Sequence, residues 1–526
     1  MRKRNPVKLI LLCILLAISA FLGGGFAYFQ YILHLPKQQS IMGASTAEYS
    51  ARRTDFEKLS IPPMSTSSSS TPNSTSANQI TAAGGSDRPF RILFACPQTV
   101  FDVSNGASLQ SLTFLQELAR RGLKVATIGG AIFDNPSGLA RIPNLEEQIK
   151  ANAGKKILIN QDHSAGGDFP ITHHFFTGFH STVWSEMTYD EANSFLSEYT
   201  QLLRTYKPDL VIGYGCDPVC RSMWMEAKLF GIPTVYLICN GNHHHYRFPL
   251  HDLVLTDSQA TAELYKNDDG LTVQTIGNFI NPETVVAKNR NPQTVTFINP
   301  AFAKGSAIVA RLLLMANKER PDIPFMVVES RQKFADALRA LKAPRGEPGS
   351  AFPDTVTFEH IALRPATFNI SEIYATTKVL LAPSLWYESL GRVATEATMN
   401  GIPVLASKSG GLPEAVGAGG ITMDVPASNQ GPDDNWLVLP TEEECRPWAD
   451  ALYELFDHAD EWRGKCLEAA HGNSIEVRGD RLMALLMPLL SRRAGDADFS
   501  RLGSIRYEND PIDWEGRTWK AAVENA

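Results

Sequence analysis

Two glutamates with a regular spacing are the residues of this chain best suited to binding an elongated polar ligand. Glu388 and Glu396 lie eight residues apart in the segment APSLWYESLGRVATEATMNGIPVLASKSGGLPE, residues 382–414. The segment predicts a strand end that runs through Glu388 into a helix, and eight helical residues span about 12 Å. The two carboxylates would therefore contact different parts of one ligand. The alternative is that both are solvated carboxylates on a helix surface.

The same segment resembles the hallmark of the retaining glycosyltransferases of family 4 (group 1). That hallmark is a glutamate, seven residues and a second glutamate, followed by GxPV and a GGxxE loop. It is matched without gaps by Glu388, Gly391, Glu396, Gly401, Pro403, Val404, Gly410, Gly411 and Glu414. The resemblance implies that Glu388 contacts the donor sugar and that Glu396 binds the ribose hydroxyls. The backbone amides of Leu390 and Gly391 would meet the donor at a helix N-terminus, which favours phosphate charge.

A lysine in the segment INPAFAKG is the candidate cation for the diphosphate. Lys304 stands where the resembled family supplies a lysine, and a positive charge suits a leaving phosphate. Asn299 occupies the position where an arginine is common in the family, so phosphate neutralisation would rest on Lys304 alone or draw on Arg392 or Arg331. The alternative for Lys304 is an ordinary surface lysine.

Two loops in the first part of the chain are candidates for completing the site. Gly106, in SNGASL, stands where the family has a glycine loop that approaches the phosphate and sugar of the donor. A residue without Cβ lets the backbone come close to such a ligand. A helix cap by Ser104 or Asn105 is the alternative. In CNGNHHHYRF, where many family members have a histidine near the reacting sugar, the candidates are Asn240, His243, His244 and His245. A surface role for this loop is the other interpretation.

Metal and other cofactors are not expected. Three adjacent histidines do not converge on one point of a regular element, so they are poor metal ligands as a group. Cys216 and Cys220 would need two further ligands, and buried cysteine usually behaves as a small apolar residue. The resemblance likewise implies a reaction without an essential metal.

Short apolar strands alternate with helical segments along most of the chain. This alternation predicts an α/β fold of parallel, doubly wound sheets, and the pattern restarts after residue 292. We expect two Rossmann-like domains that face a cleft as in the GT-B architecture, with the ligand at the carboxyl ends of the strands. Residues 88–285 would form the acceptor-side domain and residues 290–475 the nucleotide-sugar domain. Residues 476–495 predict a helix that returns across the domains, and residues 496–526 form a C-terminal tail. The predicted strands are 88–97, 123–130, 208–215, 232–239, 251–258, 293–300, 323–330, 354–360, 377–384 and 402–407.

The N-terminus predicts a membrane anchor. Residues 9–35 exceed the length that a bilayer-spanning helix requires, and the basic residues of segment 1–8 place the N-terminus in the cytosol, giving type II topology. A cleaved signal peptide is the alternative. Residues 36–87, rich in Ser and Thr, predict a flexible stem. The layout fits a Golgi-like lumen in a eukaryote and the cytosolic face of the plasma membrane in a bacterium.

Composition narrows the range of partners. The 526 residues carry a formal net charge of −7, which argues against nucleic acid as a partner. We expect a nucleoside diphosphate sugar as donor, a glycan or lipid hydroxyl as acceptor, and contact with the bilayer through the N-terminal helix. The alternatives are a catalytically silent sugar-nucleotide or glycan binding module of the same fold, and a nicotinamide-dependent oxidoreductase. The oxidoreductase is disfavoured because the first strand is not followed by a G-x-G-x-x-G turn.

Overall fold

The computed structural model describes residues 81–82 and most of 86–493. Within that span it omits 103–104, 134–143, 145–146, 149–150, 152–155, 167, 181–185, 216, 242–247, 249, 331, 346–348, 353–360 and 368. All described elements belong to one compact unit, residues 76–526. None of the helices described in that unit is both long enough and apolar enough to cross a membrane. The predicted anchor, residues 9–35, and nearly all of the predicted stem lie outside the described residues.

The first large sheet, called the N-terminal sheet, has eight strands. They run in the order β10-β9-β8-β7-β3-β4-β6-β5, and all neighbours are parallel except β5 and β6. A separate two-stranded sheet, β1 Thr81–Ala82 and β2 Ser86–Pro89, precedes it. The eight strands are β3 Arg91–Ala95, β4 Lys124–Gly130, β5 Ile157–Asp162, β6 Ile171–Phe176, β7 Leu210–Gly213, β8 Thr234–Ile238, β9 Leu253–Thr256 and β10 Gln274–Thr275.

The second large sheet, called the C-terminal sheet, has six parallel strands in the order β13-β12-β11-β14-β15-β16. Numbered within the sheet, this is 3-2-1-4-5-6, the doubly wound order in which ligands bind where the strand order reverses. The reversal lies between β11 and β14. The strands are β11 Thr294–Ile298, β12 Phe325–Glu329, β13 Ile361–Pro365, β14 Thr377–Ala382, β15 Val404–Ser407 and β16 Gly420–Met423.

Helices cover both faces of each sheet. With their sheets, α1 to α4 form the N-terminal half and α6 to α12 the C-terminal half, while α5 lies in the connection between them. The helices are α1 Gly106–Arg120, α2 Tyr189–Tyr206, α3 Pro218–Leu229, α4 Gln259–Asp269, α5 Pro282–Val285, α6 Ser306–Glu319, α7 Phe334–Ala340, α8 Ile370–Thr376, α9 Arg392–Met399, α10 Leu412–Val416, α11 Glu442–Asp457, α12 Ala459–His471 and α13 Ile475–Arg493.

Local sequence explains how these elements begin and end. Helix α2 starts with a capping box, in which the side chains of Thr188 and Glu191 satisfy each other's backbone amides.

The last helix, α13, joins the apolar core of the N-terminal sheet through Leu482, Leu486 and Leu490, which are fully buried. Each such leucine contributes about 1.5–3 kcal/mol by leaving water. The chain therefore returns from the C-terminal half to the N-terminal half.

The prediction of parallel α/β sheets is confirmed, and the differences concern mainly the sheet edges. Strands β1, β5, β6, β10, β13 and β16 were not predicted, and β5, β10, β13 and β16 of these are the edge strands of the two large sheets. The predicted strand 354–360 lies within residues 353–360, which are not described. Edge strands expose one side or more, so they lack the continuous apolar run on which the prediction relied. The domain boundaries proposed from the sequence stay predictions.

Candidate functional site at the reversal of the C-terminal sheet

The two central strands of the C-terminal sheet bring the predicted cation and the first glutamate together. Lys304 follows β11 in a short 3₁₀ helix, Phe302–Lys304, and Glu388 follows β14 in the loop Pro383–Gly391, called the Glu388 loop. Because β11 and β14 are neighbours that flank the reversal, their carboxyl ends place both side chains at the same edge. The fold therefore positions the pair where doubly wound sheets bind ligands.

Lys304 and Glu388 form an ion pair through Glu388 Oε1. The same oxygen accepts a hydrogen bond of 2.7 Å from Ser384 Oγ, so one carboxylate oxygen holds two donors. The carboxylate side chain is 16% exposed and the lysine side chain 34% exposed, so the pair is sheltered but within reach of solvent. A pair in this position can exchange partners with an incoming anion.

Backbone hydrogen bonds fix the Lys304 turn to the Glu388 loop. The carbonyl of Ala303 accepts from the amides of Leu385 and Trp386, both at 2.9 Å. Gly305 follows with φ +89, and a Cβ there would overlap the carbonyl oxygen of Pro383. Glycine is required here because the backbone is left-handed and the neighbouring loop leaves no room.

The glycines of the GGxxE loop support Glu388 from the other side. Gly411 donates its amide to the carbonyl of Glu388 at 2.8 Å. Gly410 has φ +57, and a Cβ on it would overlap that same carbonyl oxygen. In the folded chain the GGxxE loop therefore contacts the backbone of Glu388 directly.

Glu396 is almost fully buried, and both of its oxygens have partners. Arg392 Nε lies 2.6 Å from Oε1, and the hydroxyl of Tyr374 donates to Oε2 at 2.8 Å. Burial, reinforced by the adjacent Glu396 charge, raises the pKa of Tyr374 well above its usual value, so this hydroxyl stays protonated as a donor. The guanidinium of Arg392 is thus paired with Glu396, which makes Arg392 a less direct candidate for binding a phosphate. Lone pairs on the carboxylate remain for further donors such as hydroxyls.

The helix between the glutamates is shorter than the sequence predicted. Helix α9 begins at Arg392, so Glu388 lies in the preceding loop and only Glu396 lies on the helix. The separation of 12 Å, based on eight helical residues, therefore does not apply. Gly391 is the N-cap residue of α9 and has φ +101. A Cβ at this position would overlap the side chain of Leu412, so glycine is favoured here. Leu390 and Gly391 directly precede α9, at its N-terminus, and the contact of their amides with a donor stays a prediction.

Other candidate residues have less direct relations to the pair. Asn299 has φ +65 at the end of β11, and its buried Oδ1 has no hydrogen-bond partner among the described residues. Gly106 is the first residue of α1, and Asn105 caps that helix by accepting from Ala107 N at 2.8 Å, as the capping alternative required. A Cβ on Gly106 would meet no atom within 4 Å. The carbonyl of Asn240 accepts from Tyr265 OH at 3.1 Å.

The remaining predicted residues, His243, His244, His245 and Arg331, lie outside the described residues. Sequence reasoning overlooked Ser384, Tyr374 and Asp257. Asp257 directly follows β9 and accepts a hydrogen bond from Gln110 of α1. The positive charges of Arg392 and Arg478 favour its ionised form. Burial raises the pKa of Asp257 to about 6. A polar residue directly after a buried strand was the signal that could have identified it.

The two halves also touch directly beside the Glu388 loop. Glu414 of α10 accepts from the first two amides of α4, Gln259 N at 2.8 Å and Ala260 N at 2.6 Å. Thr261 Oγ1 donates to the carbonyl of Ser389 at 3.1 Å. Within the described part of the chain, no group of three or more His, Cys, Asp or Glu side chains is arranged to hold a metal ion.

Comparison with known sequences points to the segment that carries this site. Residues 360–430 match the family model described as "Glycosyl transferases group 1". Over 116 residues, the chain is 29% identical to the spore coat protein SA of Bacillus subtilis (strain 168). The alignment covers 22% of this chain and 30% of that protein, so it spans less than a third of the relative's length. The segment that matches the family model contains both Glu388 and Glu396.

Comparison with solved structures concerns the whole architecture. A glycosyltransferase from Rickettsia africae superposes with a TM-score of 0.52 at 11% identity, covering 76% of this chain and 99% of that one. The pneumococcal O-GlcNAc transferase GtfA, in complex with UDP and GlcNAc, has a TM-score of 0.53 at 12% identity, with coverage of 76% and 99%. The described α/β fold is thus shared with GT-B glycosyltransferases.

Proposed function

We propose that this chain is a retaining glycosyltransferase of family 4 that transfers a hexose-like sugar from a nucleoside diphosphate sugar to a hydroxyl acceptor. The observation that carries the proposal is the Lys304–Glu388 ion pair at the reversal of the C-terminal sheet. Its glutamate lies inside residues 360–430, the segment that matches the family model. UDP and GlcNAc in the pneumococcal structure of like fold support a nucleotide-sugar donor.

The contacts suggest how the donor would be distributed over the site. Glu396, next to Arg392 and Tyr374, would take the ribose hydroxyls, and the amides of Leu390 and Gly391 would face the diphosphate at the start of α9. As the bond to the anomeric carbon breaks, its electron pair stays on the diphosphate, whose growing charge Lys304 would stabilise. The partner exchange of Lys304 would then free Glu388 Oε1 for a sugar hydroxyl.

We further propose that the catalytic part is tethered to a membrane by residues 9–35 and held away from it by the stem. The basic residues before this segment support type II topology. Protease treatment of sealed vesicles tests the orientation. Protection of the globular part from added protease is expected if that part lies in a lumen, and digestion in intact vesicles would contradict lumenal placement.

Donor binding and turnover test the enzymatic proposal directly. The full chain, purified in detergent, is titrated with UDP, GDP and ADP by calorimetry and then incubated with the corresponding nucleotide sugars. Release of the nucleoside diphosphate is expected for at least one donor, and the anomeric configuration of the product is read by NMR. Binding without release or transfer would instead support the catalytically silent module. Absence of binding to every nucleotide would overturn the proposal.

A further inference from the structure

One exposed asparagine of the C-terminal half belongs to a sequence triplet that the proposed reaction does not use. The triplet Asn-x-Ser/Thr, in which x is not proline, is the acceptor for N-linked glycans, and it occurs at Asn73 and at Asn369. Asn73 belongs to the predicted stem, outside the described residues. Asn369, in Asn369-Ile370-Ser371, directly precedes α8, so the structure defines its surroundings.

The surroundings of Asn369 leave room for a bulky group. Asn369 is exposed, and so are residues 362–366, which lead to it. A glycan needs such a position, because it is large and strongly hydrated. The side-chain amide of Asn369 donates to Glu372 Oε1 at 2.6 Å in an exposed contact. An asparagine amide carries two N–H groups, so a bond to a sugar still leaves one donor for Glu372.

The serine of the triplet contacts the asparagine directly. Ser371 Oγ donates to Asn369 Oδ1 at 2.7 Å, and Thr367 Oγ1 accepts from the backbone amide of Asn369 at 3.0 Å. A hydroxyl that donates to the amide oxygen polarises the amide, which makes its N–H groups more acidic. The residues involved are only two positions apart, so these bonds need no distant part of the fold. They are therefore available to the chain before its domain has folded.

The usual structural role of an asparagine before a helix is absent here. Asn369 occupies the N-cap position of α8, yet in this fully described helix no amide donates to its side chain. An N-cap side chain that accepts such a bond typically contributes about 1 kcal/mol. Helix capping therefore does not explain why asparagine stands at this position, and its replacement should change the stability of α8 little.

The strand that precedes Asn369 gives a glycan at this position a physical consequence. Strand β13 ends at Pro365, four residues before Asn369, and is the outermost described strand at its side of the C-terminal sheet. Leu363 on this strand is 49% exposed. An exposed edge strand is a template on which another chain can pair, and proteins commonly cover or charge such edges. Four residues span at most about 14 Å, so a glycan on Asn369 lies close to the end of β13.

We propose that Asn369 is N-glycosylated and that the glycan covers the exposed edge of the C-terminal sheet at β13. The transfer forms a bond between Asn369 Nδ2 and the anomeric carbon of an oligosaccharide carried on a lipid diphosphate. The bond from that carbon to the phosphate oxygen breaks, its electron pair stays on the lipid diphosphate, and Nδ2 gives up one proton. The modification rests on the proposed type II topology, because this transfer takes place in the lumen, and it is independent of the proposed transferase activity.

Mass spectrometry of the full chain, expressed in cultured animal cells, tests the site. Removal of N-glycans by peptide N-glycosidase in ¹⁸O-water converts a glycosylated asparagine to ¹⁸O-labelled aspartate. We expect most of the chain to carry this label at Asn369. N369Q and S371A should both abolish it, because each removes a different member of the triplet. S371T keeps the triplet and is the matched control, which should retain the label.

Protease treatment of sealed vesicles from the same cells separates the possible failures. A globular part that is protected from protease but carries no label at Asn369 would overturn the site and leave the topology intact. Digestion of the globular part in intact vesicles, again without label, would overturn both. Release of a nucleoside diphosphate from a nucleotide sugar is measured separately, so either failure is distinguishable from failure of the transferase proposal.

The covering of the edge strand is tested by light scattering on the purified chain in detergent. S371A, which lacks the glycan, should associate about two- to fivefold faster than the glycosylated S371T. Adding L363K to S371A should slow association again, because a charge on an edge strand disfavours pairing with another chain. Equal association of S371A and S371T would refute the covering role of the glycan.

Discussion

Glu388 and Glu396 differ in how many of their carboxylate oxygens already have partners, and this difference suits them to different roles. The contacts of Glu388 described above use Oε1, shared by Lys304 and Ser384, whereas Glu396 engages Oε1 with Arg392 and Oε2 with Tyr374. A carboxylate held on both oxygens is a rigid acceptor, suited to binding. A carboxylate held on one oxygen can change partners as charge develops, which is what a group close to the reacting centre requires.

Replacing Glu388 by Gln tests this distinction. We expect turnover of the nucleotide sugar to fall about a hundredfold, because the amide cannot hold the Lys304 charge in place. Glu396 and the α9 amides are unaltered, so UDP affinity should stay within a few-fold of the wild type. Steady-state turnover and calorimetric titration with UDP measure the two effects. E468Q, at an exposed position on α12, is the control. Wild-type turnover in E388Q would show that the ion pair is not part of the reaction.

Side-chain partners were the part of the site that sequence could not supply. The resemblance singled out Glu388, Glu396 and Lys304, because a motif specifies the strand or helix end that carries each residue, and the roles of these residues stay predictions. Tyr374 lies 22 residues from Glu396 in sequence and on a different helix, α8. Serine and tyrosine are common in every α/β chain, so only their placement in space identifies Ser384 and Tyr374 as partners.

Among the elements, the turn after β11 depends on one backbone conformation. G305A should lower the stability of the protein by about 1–3 kcal/mol, because a Cβ meets Pro383 and the residue has φ +89. The Lys304 turn would shift, so turnover should fall as well. Thermal unfolding followed by circular dichroism measures the stability change.

Gly464 provides the matched control for that substitution. It lies inside α12, and a Cβ on it would meet no atom within 4 Å. G464A should raise stability by about 0.5–1 kcal/mol, because alanine is the better helix former. If G305A melted at the wild-type temperature or above, the close contact with Pro383 would be refuted.

Element prediction succeeded where burial is complete. The fully buried strands β7 and β8 read as continuous apolar runs, and both were predicted. The unpredicted strand β13 is mostly exposed, and β5 carries the polar sequence NQD at its end. These edge strands form because a neighbour offers a row of unpaired backbone groups, which is a property of the sheet and not of the local sequence.

For the whole molecule, one half-buried carboxyl, that of Asp257, joins the elements that meet at the Glu388 loop. Asp257 of the N-terminal half faces Gln110, Ser389, Arg392 and Arg478, which come from four different elements. Burial raises the pKa of Asp257 to about 6, and these neighbours only partly offset that effect. Asp257 is therefore half protonated near pH 6, while an unfolded aspartate titrates at about 4.

This raised pKa sets the sign of a pH dependence. The folded state holds the Asp257 proton more tightly, so the stabilisation is complete below about pH 4 and is lost as the pH rises through about 6. The effect is at most about 3 kcal/mol. D257N cannot ionise, so its melting temperature relative to the wild type should rise between pH 4.5 and pH 7. A difference that falls over this interval would contradict the raised pKa.

An exposed carboxylate, Glu414, contributes two of the hydrogen bonds between the halves beside the site. Glu414 accepts the first two amides of α4, where the helix dipole favours a negative charge, and its loop contacts Glu388 through Gly411. A change in the separation of the halves would therefore be transmitted to the Glu388 loop.

Removing this carboxylate should increase the population in which the halves are apart. E414A loses both hydrogen bonds and should raise that population about two- to fivefold, and E414Q, which keeps one acceptor oxygen, should lie between it and the wild type. Electron resonance measures the distance between spin labels at the exposed positions Met225 and Arg339. E191Q is the matched control, because Glu191 caps α2 with two backbone amides entirely inside the N-terminal half. An unchanged distance distribution in E414A would show that Glu414 does not hold the halves together.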